Sequence, residues 1–267
     1  MPAPFFSIIV ATHLRASLLE RNLRSLLAQD IEPESFEILV VADAWSEADA
    51  SVASRLLRPQ DSYHKRAGAP GPALSRNLGL DLARGEWILF LDDDDQYRPH
   101  HLRQLAATIA SNSQGQIFFS DCEAITEDRS VDPPRPLEQH QIALITQNTA
   151  ALWLKNFIPN HALAYRRSLL GSHRFDEHLD SLEDWDFLLG LLHQTTPVPY
   201  TGGGAVMHKD YVNPGNRRGT QTQANNHRVV QDFLHIYRRW PAPDDSIRQQ
   251  RQALLASVGM NLPTDWF

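Results

Sequence analysis

The sequence predicts an α/β protein with a mostly parallel β-sheet flanked by helices, followed by a helical C-terminal extension. In the first half of the chain, short apolar runs alternate with segments of helical periodicity, the pattern of parallel strands joined by crossover helices. The apolar runs are continuous, as expected for strands that are buried on both faces. With 42% hydrophobic and 21% charged residues, the composition is that of a globular protein.

The first strand and the first helix show the two periodicities. Residues 5–11 are a continuous run of aromatic and β-branched side chains, so they are predicted to form a buried strand. Residues 14–28 place leucines at helical spacing, with charged side chains off the apolar stripe. The same criteria predict strands over residues 36–41, 87–91 and 117–120, and helices over residues 48–57, 71–83 and 99–111.

The second half of the chain is less regular. Residues 127–140 are rich in proline and acidic side chains and lack periodicity, so they are predicted to form a surface loop. The remaining predicted elements are helices over residues 143–156, 183–193, 222–239 and 244–258, strands over residues 163–165 and 205–208, a glycine turn over residues 201–204 and a loop over residues 213–220. These elements predict one domain over residues 1–220 and a helical extension over residues 221–267.

Charge and cysteine content exclude several classes of protein. The 25 Lys and Arg residues against 32 Asp and Glu give a formal net charge of −7, which argues against a nucleic-acid partner held by bulk electrostatics. The single cysteine, Cys122, excludes an internal disulfide framework and a multi-cysteine zinc site. No secretory signal is visible, and no run approaches the ~20 apolar residues of a membrane span. A cytoplasmic protein is therefore expected.

Polar side chains follow three of the predicted parallel strands. Thr12 and His13 follow the first strand, Asp43 follows the second, and four consecutive aspartates follow the strand over residues 87–91. Because open α/β sheets bind ligands at the carboxyl ends of their strands, these side chains are expected to converge. Turn initiation explains Asp43 by itself, whereas four adjacent carboxylates need a cation or strong solvation to offset their repulsion.

The four aspartates are suitable ligands for a hard divalent cation. Mg²⁺ and Mn²⁺ bind one or two carboxylates together with substrate phosphates and water. A solvated acidic loop is the alternative interpretation. His208, on a later predicted strand, is a candidate for completing the shell of such an ion, and a buried structural histidine is its alternative.

Two predicted helix starts carry further candidate residues. Arg76 lies near the start of the helix that Gly71 opens, where it can reach a phosphate; the alternative is a surface arginine on an ordinary helix. Glu183 and Asp184 open an otherwise apolar helix. They either interact with the helix dipole or supply a general base at the crevice.

Together these segments resemble family 2 glycosyltransferases of the GT-A fold, which are inverting enzymes that use nucleotide-diphosphate sugars. The resemblance covers residues 5–211, and the order and spacing of its segments make it specific. It implies a Rossmann-like sheet with a nucleotide-binding half over residues 1–121 and an acceptor-side half over residues 122–220. The matching segments are SIIVATH at residues 7–13, ILVVAD at residues 38–43, SRNLGL at residues 75–80, FLDDDD at residues 90–95 and EDWD at residues 183–186.

The resemblance also implies a role for each matching residue. Asp184 corresponds to the general base that deprotonates the acceptor hydroxyl, with Glu183 beside it as a second catalytic residue. Mn²⁺ or Mg²⁺ is implied as the cofactor, with Asp94, Asp92 and His208 as its ligands. The residues implied in nucleotide binding are Ala11, Thr12, His13, Arg15, Asp43, Arg76, Asp92 and Asp93.

Two departures from the family pattern lie in the nucleotide pocket. The usual Pro-Thr-Tyr-Asn after the first strand is Ala-Thr-His-Leu at residues 11–14, and the usual Asp-Asp-Gly-Ser after the second is replaced by ADAWS at residues 42–46. A UDP- or dTDP-sugar is the expected donor, since the Asp43 carboxylate can accept a hydrogen bond from the imide N–H of uracil or thymine.

Acceptor and partners are less constrained by the sequence. The expected acceptor is a glycan or a lipid-linked molecule in polysaccharide, glycolipid or glycoprotein glycan synthesis. The C-terminal helices are expected to pack on the domain or in a homodimer, with peripheral contact at the inner face of a membrane as the alternative. Two rival functions stay open: a metal-dependent nucleotidyltransferase or phosphohydrolase, and a non-catalytic module that binds nucleotide sugars.

Overall fold

The computed structural model describes residues 3–179, 181–212 and 226–266. Within these residues, one sheet contains the strands β1 (Phe6–Thr12), β2 (Phe36–Ala42), β3 (Ser62–Lys65), β4 (Trp87–Asp92), β5 (Gln96–Tyr97), β6 (Ile117–Asp128), β7 (Arg135–Ile142), β8 (Leu163–Arg166) and β9 (Val198–Asp210). The helices are α1 (Ala16–Leu27), α2 (Glu47–Leu56), α3 (Pro72–Leu82), α4 (His101–Ser111), α5 (Arg167–Leu170), α6 (Glu183–Leu192), α7 (Asn226–Arg239) and α8 (Asp245–Ser257).

The first half of the sheet is parallel. β1 lies between β2 and β4, and β3 is parallel to β2 on its outer side. Nearly every side chain of β1 and β2 is buried, which explains the continuous apolar runs in the sequence. This order places the carboxyl ends of β1, β2 and β4 at one edge of the sheet. The predicted α/β fold class is therefore confirmed.

The second half of the sheet is mixed. β8 is antiparallel to both β4 and β6, whereas β9 runs parallel to β6 and then pairs antiparallel with the short β5. The predicted parallel arrangement thus holds for β1 to β4 and gives way to mixed pairing beyond β4.

A strand replaces much of the surface loop that was predicted over residues 127–140. β7 forms an antiparallel hairpin with the far end of β6, from Cys122 opposite Ile142 to Asp128 opposite Arg135. The β7 side chains before Ile142 are all exposed. This prediction was wrong because backbone pairing holds the strand, and a strand without a buried face has no apolar alternation to detect.

The prediction of a helix over residues 143–156 was also wrong. The Asp121 carboxylate accepts hydrogen bonds from the backbone N–H groups of Leu144 and Ile145, at 2.6 and 3.0 Å. A 3₁₀ turn, Thr149–Trp153, follows, and the Asn148 side chain accepts a hydrogen bond from the backbone at its start. Bonds from side chains to the backbone compete with helix formation in this way.

The glycine segment over residues 201–204 is part of β9 and not the predicted turn. The pairing register against β6 shifts between Ser120 and Cys122. Gly203 passes so close to Ser120 that a Cβ at this position would overlap the serine side chain. The short strands β3 and β5 lie at the two ends of the sheet order, and no sequence pattern had indicated them.

The C-terminal helices pack on the domain of the same chain. A small apolar cluster joins Trp185 and Leu189 of α6 to Ile236 and Tyr237 of α7 and to Leu255 of α8. The loop predicted over residues 213–220 and the first predicted residues of α7 lie outside the described residues. Within the described ranges, no helix has both the length and the apolar character that crossing a bilayer requires.

Helix α3 approaches β1 closely at Gly79. A Cβ at Gly79 would lie 2.4 Å from Cγ2 of Ile9, and overpacking of this kind destabilises a core by ~1–3 kcal/mol. We expect Gly79→Ala to lower the free energy of unfolding by about this amount in urea titrations. In an Ile9→Ala background the penalty should largely disappear, and an unchanged penalty there would contradict the close contact.

Candidate functional site

The carboxyl ends of β1, β2 and β4 and the start of α6 line a cavity of about 890 Å³, within the range of ~300–1,000 Å³ usual for ligand pockets. Most of the predicted site residues line this cavity. They are Ala11, Thr12, His13, Arg15, Asp43, Arg76, Asp92, Asp94, Glu183, Asp184 and His208.

Asp93 anchors the loop after β1 and does not line the cavity. Its fully buried carboxylate accepts hydrogen bonds from Thr12 Oγ1 at 2.7 Å and from the backbone N–H of His13 at 3.3 Å. Arg15 pairs with the same carboxylate at 2.6 Å. Burial raises the pKa of Asp93 to about 7, with Arg15 opposing the shift and Asp94 adding to it. This anchoring position differs from the nucleotide contact that the sequence predicts.

The end of β2 is connected to the loops on either side of it. Oδ1 of Asp43 lies 2.5 Å from Nδ1 of His13, and Oδ2 of Asp43 accepts a hydrogen bond from the backbone N–H of Gly71 at 2.8 Å. The His13 side chain is 50% exposed, whereas Asp43 is almost fully buried. One wall of the cavity therefore combines the ends of β1 and β2 with the start of α3.

Arg76 joins the end of β4 to the start of α6. Its buried guanidinium donates to Oδ1 of Asp92 and to Oε1 of Glu183, each at 2.7 Å. Burial alone would raise the pKa of Asp92, but the Arg76 charge outweighs it, so this pKa lies below its usual value. The two carboxylates in turn raise the pKa of Arg76 despite its burial. Arg76 is therefore a fixed positive charge between two predicted site residues.

Asp94 is paired with an arginine that the sequence analysis did not identify. Nη1 of Arg129 lies 2.8 Å from Oδ2 of Asp94, and Arg15 reaches the same oxygen at 3.4 Å. Burial, reinforced by the neighbouring Asp95, raises the pKa of Asp94. Arg129 lines the cavity just beyond the end of β6. No sequence pattern indicated Arg129, because it lies in the segment interpreted as a surface loop.

His208 lines the cavity with both ring nitrogens engaged. Nδ1 lies 2.9 Å from Oε2 of Glu127, and Nε2 lies 2.9 Å from Oε1 of Gln96. Burial opposes ionisation of Glu127, but His208 and Arg21 outweigh it and lower the pKa of Glu127 to about 2. In this arrangement the imidazole belongs to a hydrogen-bonded network, unlike the free ligand that the sequence predicts.

Two of the three predicted metal ligands fit a hard divalent cation. Asp92 and Asp94 supply carboxylate oxygens to the cavity, and the Asp92 side chain is 46% exposed. Across residues 3–179, 181–212 and 226–266, no three His, Cys, Asp or Glu side chains are arranged to hold one ion. A cation held by these two carboxylates together with phosphate and water is the arrangement that the residues present can support.

Glu183 and Asp184 lie in the first turn of α6. Oδ1 of Asp184 accepts a hydrogen bond from the backbone N–H of Trp185 at 2.7 Å, and Oδ2 accepts one from Nδ2 of Asn156 at 3.3 Å. The buried Trp185 ring holds the helix by donating from Nε1 to the carbonyl oxygen of Leu152 at 2.7 Å. Burial and the adjacent Glu183 raise the pKa of Asp184 to about 6. This pKa is suitable for a general base near neutral pH.

A buried histidine paired with an aspartate is a second feature that the sequence did not reveal. Nδ1 of His161 lies 3.0 Å from Oδ2 of Asp95. Burial opposes the positive charge, but Asp95 outweighs it and raises the pKa of His161 to about 10. His161 lies in the 3₁₀ turn Asn160–Ala162 before β8. No periodicity or motif marks this position in the sequence.

Comparison with known sequences identifies the family. The sequence profile described as Glycosyl transferase family 2 matches residues 7–173. An uncharacterized glycosyltransferase of Haemophilus influenzae is 30% identical over 198 residues, which cover 73% of this chain and 64% of that protein. The succinoglycan biosynthesis protein ExoO of Rhizobium meliloti is 28% identical over 200 residues, covering 71% of this chain and 56% of that protein. The chain thus spans less than two thirds of the length of these relatives.

Solved structures share the fold. S. aureus TarS 1–349 in complex with UDP-GlcNAc matches with a TM-score of 0.70 at 20% identity, covering 94% of this chain and 71% of that chain. The mannosyltransferase PcManGT from Pyrobaculum calidifontis, in complex with GDP-Man and Mn²⁺, matches with a TM-score of 0.63 at 17% identity, covering 98% of this chain and 78% of that chain. These matches confirm the GT-A fold. Since the profile match extends over more than half of the sequence, the chain belongs to glycosyltransferase family 2.

Proposed function

We propose that this chain is a metal-dependent, inverting glycosyltransferase that moves a sugar from a nucleotide-diphosphate sugar to an acceptor hydroxyl. The observation that carries the proposal is the position of Arg76, which bonds to Asp92 and to Glu183 at 2.7 Å each. Arginine forks recognise phosphates, so the group suited to the donor's diphosphate lies beside the start of α6. Asp184 follows Glu183 directly. One cavity thus combines a donor site with a base.

The wall formed by β1, β2 and α3 is suited to the nucleotide. A carboxylate oxygen has two lone pairs, so Asp43 can accept a further hydrogen bond from a pyrimidine imide while it contacts His13 and Gly71. The UDP-GlcNAc complex of TarS supports a pyrimidine nucleotide, whereas the GDP-Man complex of PcManGT makes a guanine nucleotide the alternative. A UDP-sugar or a dTDP-sugar is the proposed donor.

Negative charge develops on the diphosphate as it leaves the sugar. Arg76 is held in place before the reaction begins, so its charge stabilises the transition state without reorganisation. A divalent cation bound by Asp92 and Asp94 would add Lewis-acid neutralisation of the same charge. The two carboxylates are therefore the proposed metal ligands.

Asp184 acts on the acceptor. Its carboxylate takes the proton from the acceptor hydroxyl while the hydroxyl oxygen attacks the anomeric carbon. The carbon–oxygen bond to the diphosphate breaks on the opposite side, and the diphosphate leaves with the bonding electron pair. A single displacement inverts the anomeric centre without a covalent enzyme intermediate. The name of ExoO, a succinoglycan biosynthesis protein, supports a role in polysaccharide synthesis, for which a glycan or a lipid-linked molecule is the proposed acceptor.

The first prediction from the proposed function concerns the metal. Asp94→Asn should abolish transfer and the metal-dependent part of UDP affinity, because it removes one of the two proposed carboxylate ligands. UDP titrations with and without Mn²⁺, beside a transfer assay, measure both effects. Asp128→Asn is the matched control, since Asp128 lies near Arg129 without lining the cavity. Wild-type transfer in Asp94→Asn, or full activity in excess chelator, would contradict metal dependence.

The second prediction concerns the donor. We expect UDP and dTDP to compete for the cavity more strongly than GDP, and nucleoside diphosphate to be the product released from the donor. Competition binding and product analysis test these two points. Preference for GDP would contradict the pyrimidine assignment. Release of sugar-1-phosphate or inorganic phosphate would identify a nucleotidyltransferase or a phosphohydrolase, and binding without turnover would identify a non-catalytic module.

The third prediction concerns the base. Asp184→Asn should lower kcat by ~10²–10⁴-fold, the usual contribution of a general base, while UDP affinity stays near the wild-type value. Since the base must be deprotonated, kcat should rise with pH up to about pH 6, the pKa of Asp184, and level off above it. Glu183→Gln, assayed in parallel, distinguishes the effect of losing the Asp184 carboxylate from the effect of losing the neighbouring Glu183 carboxylate. Transfer by Asp184→Asn at more than about a tenth of the wild-type rate would exclude a base of the usual size.

A further inference from the structure

Helix α6 begins without a side-chain cap, although its first turn carries Glu183 and Asp184. Leu182, directly before it, has a φ of 63°, in the left-handed region that non-glycine residues rarely adopt. Such a backbone conformation persists where the surrounding structure fixes it. The direction of Asp184 therefore depends on contacts from another element.

Helix α7 supplies such contacts on the N-terminal side of Asp184. Oδ2 of Asp232 accepts hydrogen bonds from Oγ of Ser181 at 2.6 Å and from the backbone N–H of Ser181 at 3.1 Å. Both residues are more than nine-tenths buried. The distance of 2.6 Å between the serine and aspartate oxygens is at the short end of the range for hydrogen bonds between two oxygen atoms. Asp232 thus fixes the residue immediately before the left-handed Leu182.

The end of α7 and Trp240 just beyond it make contacts on the other side of Asp184. The fully buried Asp186 accepts hydrogen bonds from Nε1 of Trp240 at 2.8 Å and from Nη1 of Arg239 at 3.0 Å. The Trp185 ring packs against Phe233 of α7, with ring centroids 5.1 Å apart. Contacts from the extension therefore hold the chain both before and after Asp184.

We propose that α7 is a positioning element for proton transfer and that Asp232 is its positioning residue, holding the start of α6 so that Asp184 faces the acceptor. The inference rests on the proposed role of Asp184 as general base. It assigns a task to a helix beyond residues 7–173, the part that matches the family profile. If α7 only buried the apolar face of α6, losing one of its contacts would lower stability without a specific loss of turnover.

The variant Asp232→Ala, in the full chain, tests the proposal. We expect kcat to fall by ~10-fold or more, since a misplacement of about 1 Å can cost up to ~10²-fold in rate. Affinity for UDP alone should be nearly unchanged, because Asp232 does not line the cavity. Asp232→Asn keeps an acceptor oxygen and should recover part of kcat. If Asp232→Ala does not fold, Asp232→Asn becomes the test. In that variant kcat should still fall while the affinity for UDP stays near the wild-type value.

Tyr237→Phe is the matched control. The Tyr237 hydroxyl donates to the carbonyl oxygen of Leu154 at 2.7 Å, so this change removes a hydrogen bond of the same helix outside the segment around Asp184. The ring that packs on Trp185 is retained. We expect a lower Tm and unchanged kcat. An equal loss of kcat in Tyr237→Phe, or wild-type kcat in the Asp232 variants, would overturn the proposal.

Hydrogen exchange separates this inference from the proposed function, because it needs no substrate. The backbone amides of residues 181–186 should exchange faster in the Asp232 variants than in the wild type, and at the wild-type rate in Tyr237→Phe. If the wild-type chain transfers no sugar, the proposed function fails. Faster exchange would then still support the positioning of the α6 start by Asp232, whereas unchanged exchange would overturn it.

Discussion

The site depends on one electrostatic constraint: carboxylates gathered at the end of a buried strand require positive charges close to them. Burial and like charges both disfavour ionised aspartates, yet four of them follow one another at the end of β4. Each has a partner from a different segment of the chain. The four pairs are Arg76 with Asp92, Arg15 with Asp93, Arg129 with Asp94 and His161 with Asp95.

Because of this constraint, the mixed half of the sheet also contributes side chains to the site. The parallel half supplies the aspartates, and one of their partners, Arg129, comes from the hairpin of β6 and β7. Another, His161, comes from the turn that leads into β8. Because β8 lies between β4 and β6 in the sheet, the antiparallel return of the chain brings these side chains to the edge where the parallel strands end. The charge pattern and the strand order are thus parts of one arrangement.

The opposite wall of the cavity depends on the C-terminal extension. Trp185 and Asp186 direct the outer face of α6 toward α7, while Glu183 and Asp184 face the cavity. The four residues EDWD therefore contribute both to the cavity and to the contact with α7, since neighbouring positions in the first turn of a helix point in different directions. Arg76 closes the arrangement by joining Glu183 to the aspartates of β4.

The sequence by itself determined the parallel half of the fold and the two helices of the extension, and it identified a set of site residues most of which line the cavity. It could do so because buried strands, apolar helix faces and strand-end aspartates leave local patterns. Tertiary structure alone decided the pairing of β7, the countercharges Arg129 and His161, the anchoring position of Asp93 and the engagement of both nitrogens of His208. Each of these features depends on a hydrogen bond or ion pair between residues that lie far apart in the sequence. Such a contact leaves no mark in the local hydrophobic periodicity, because it is made only when the folded chain brings the two groups together.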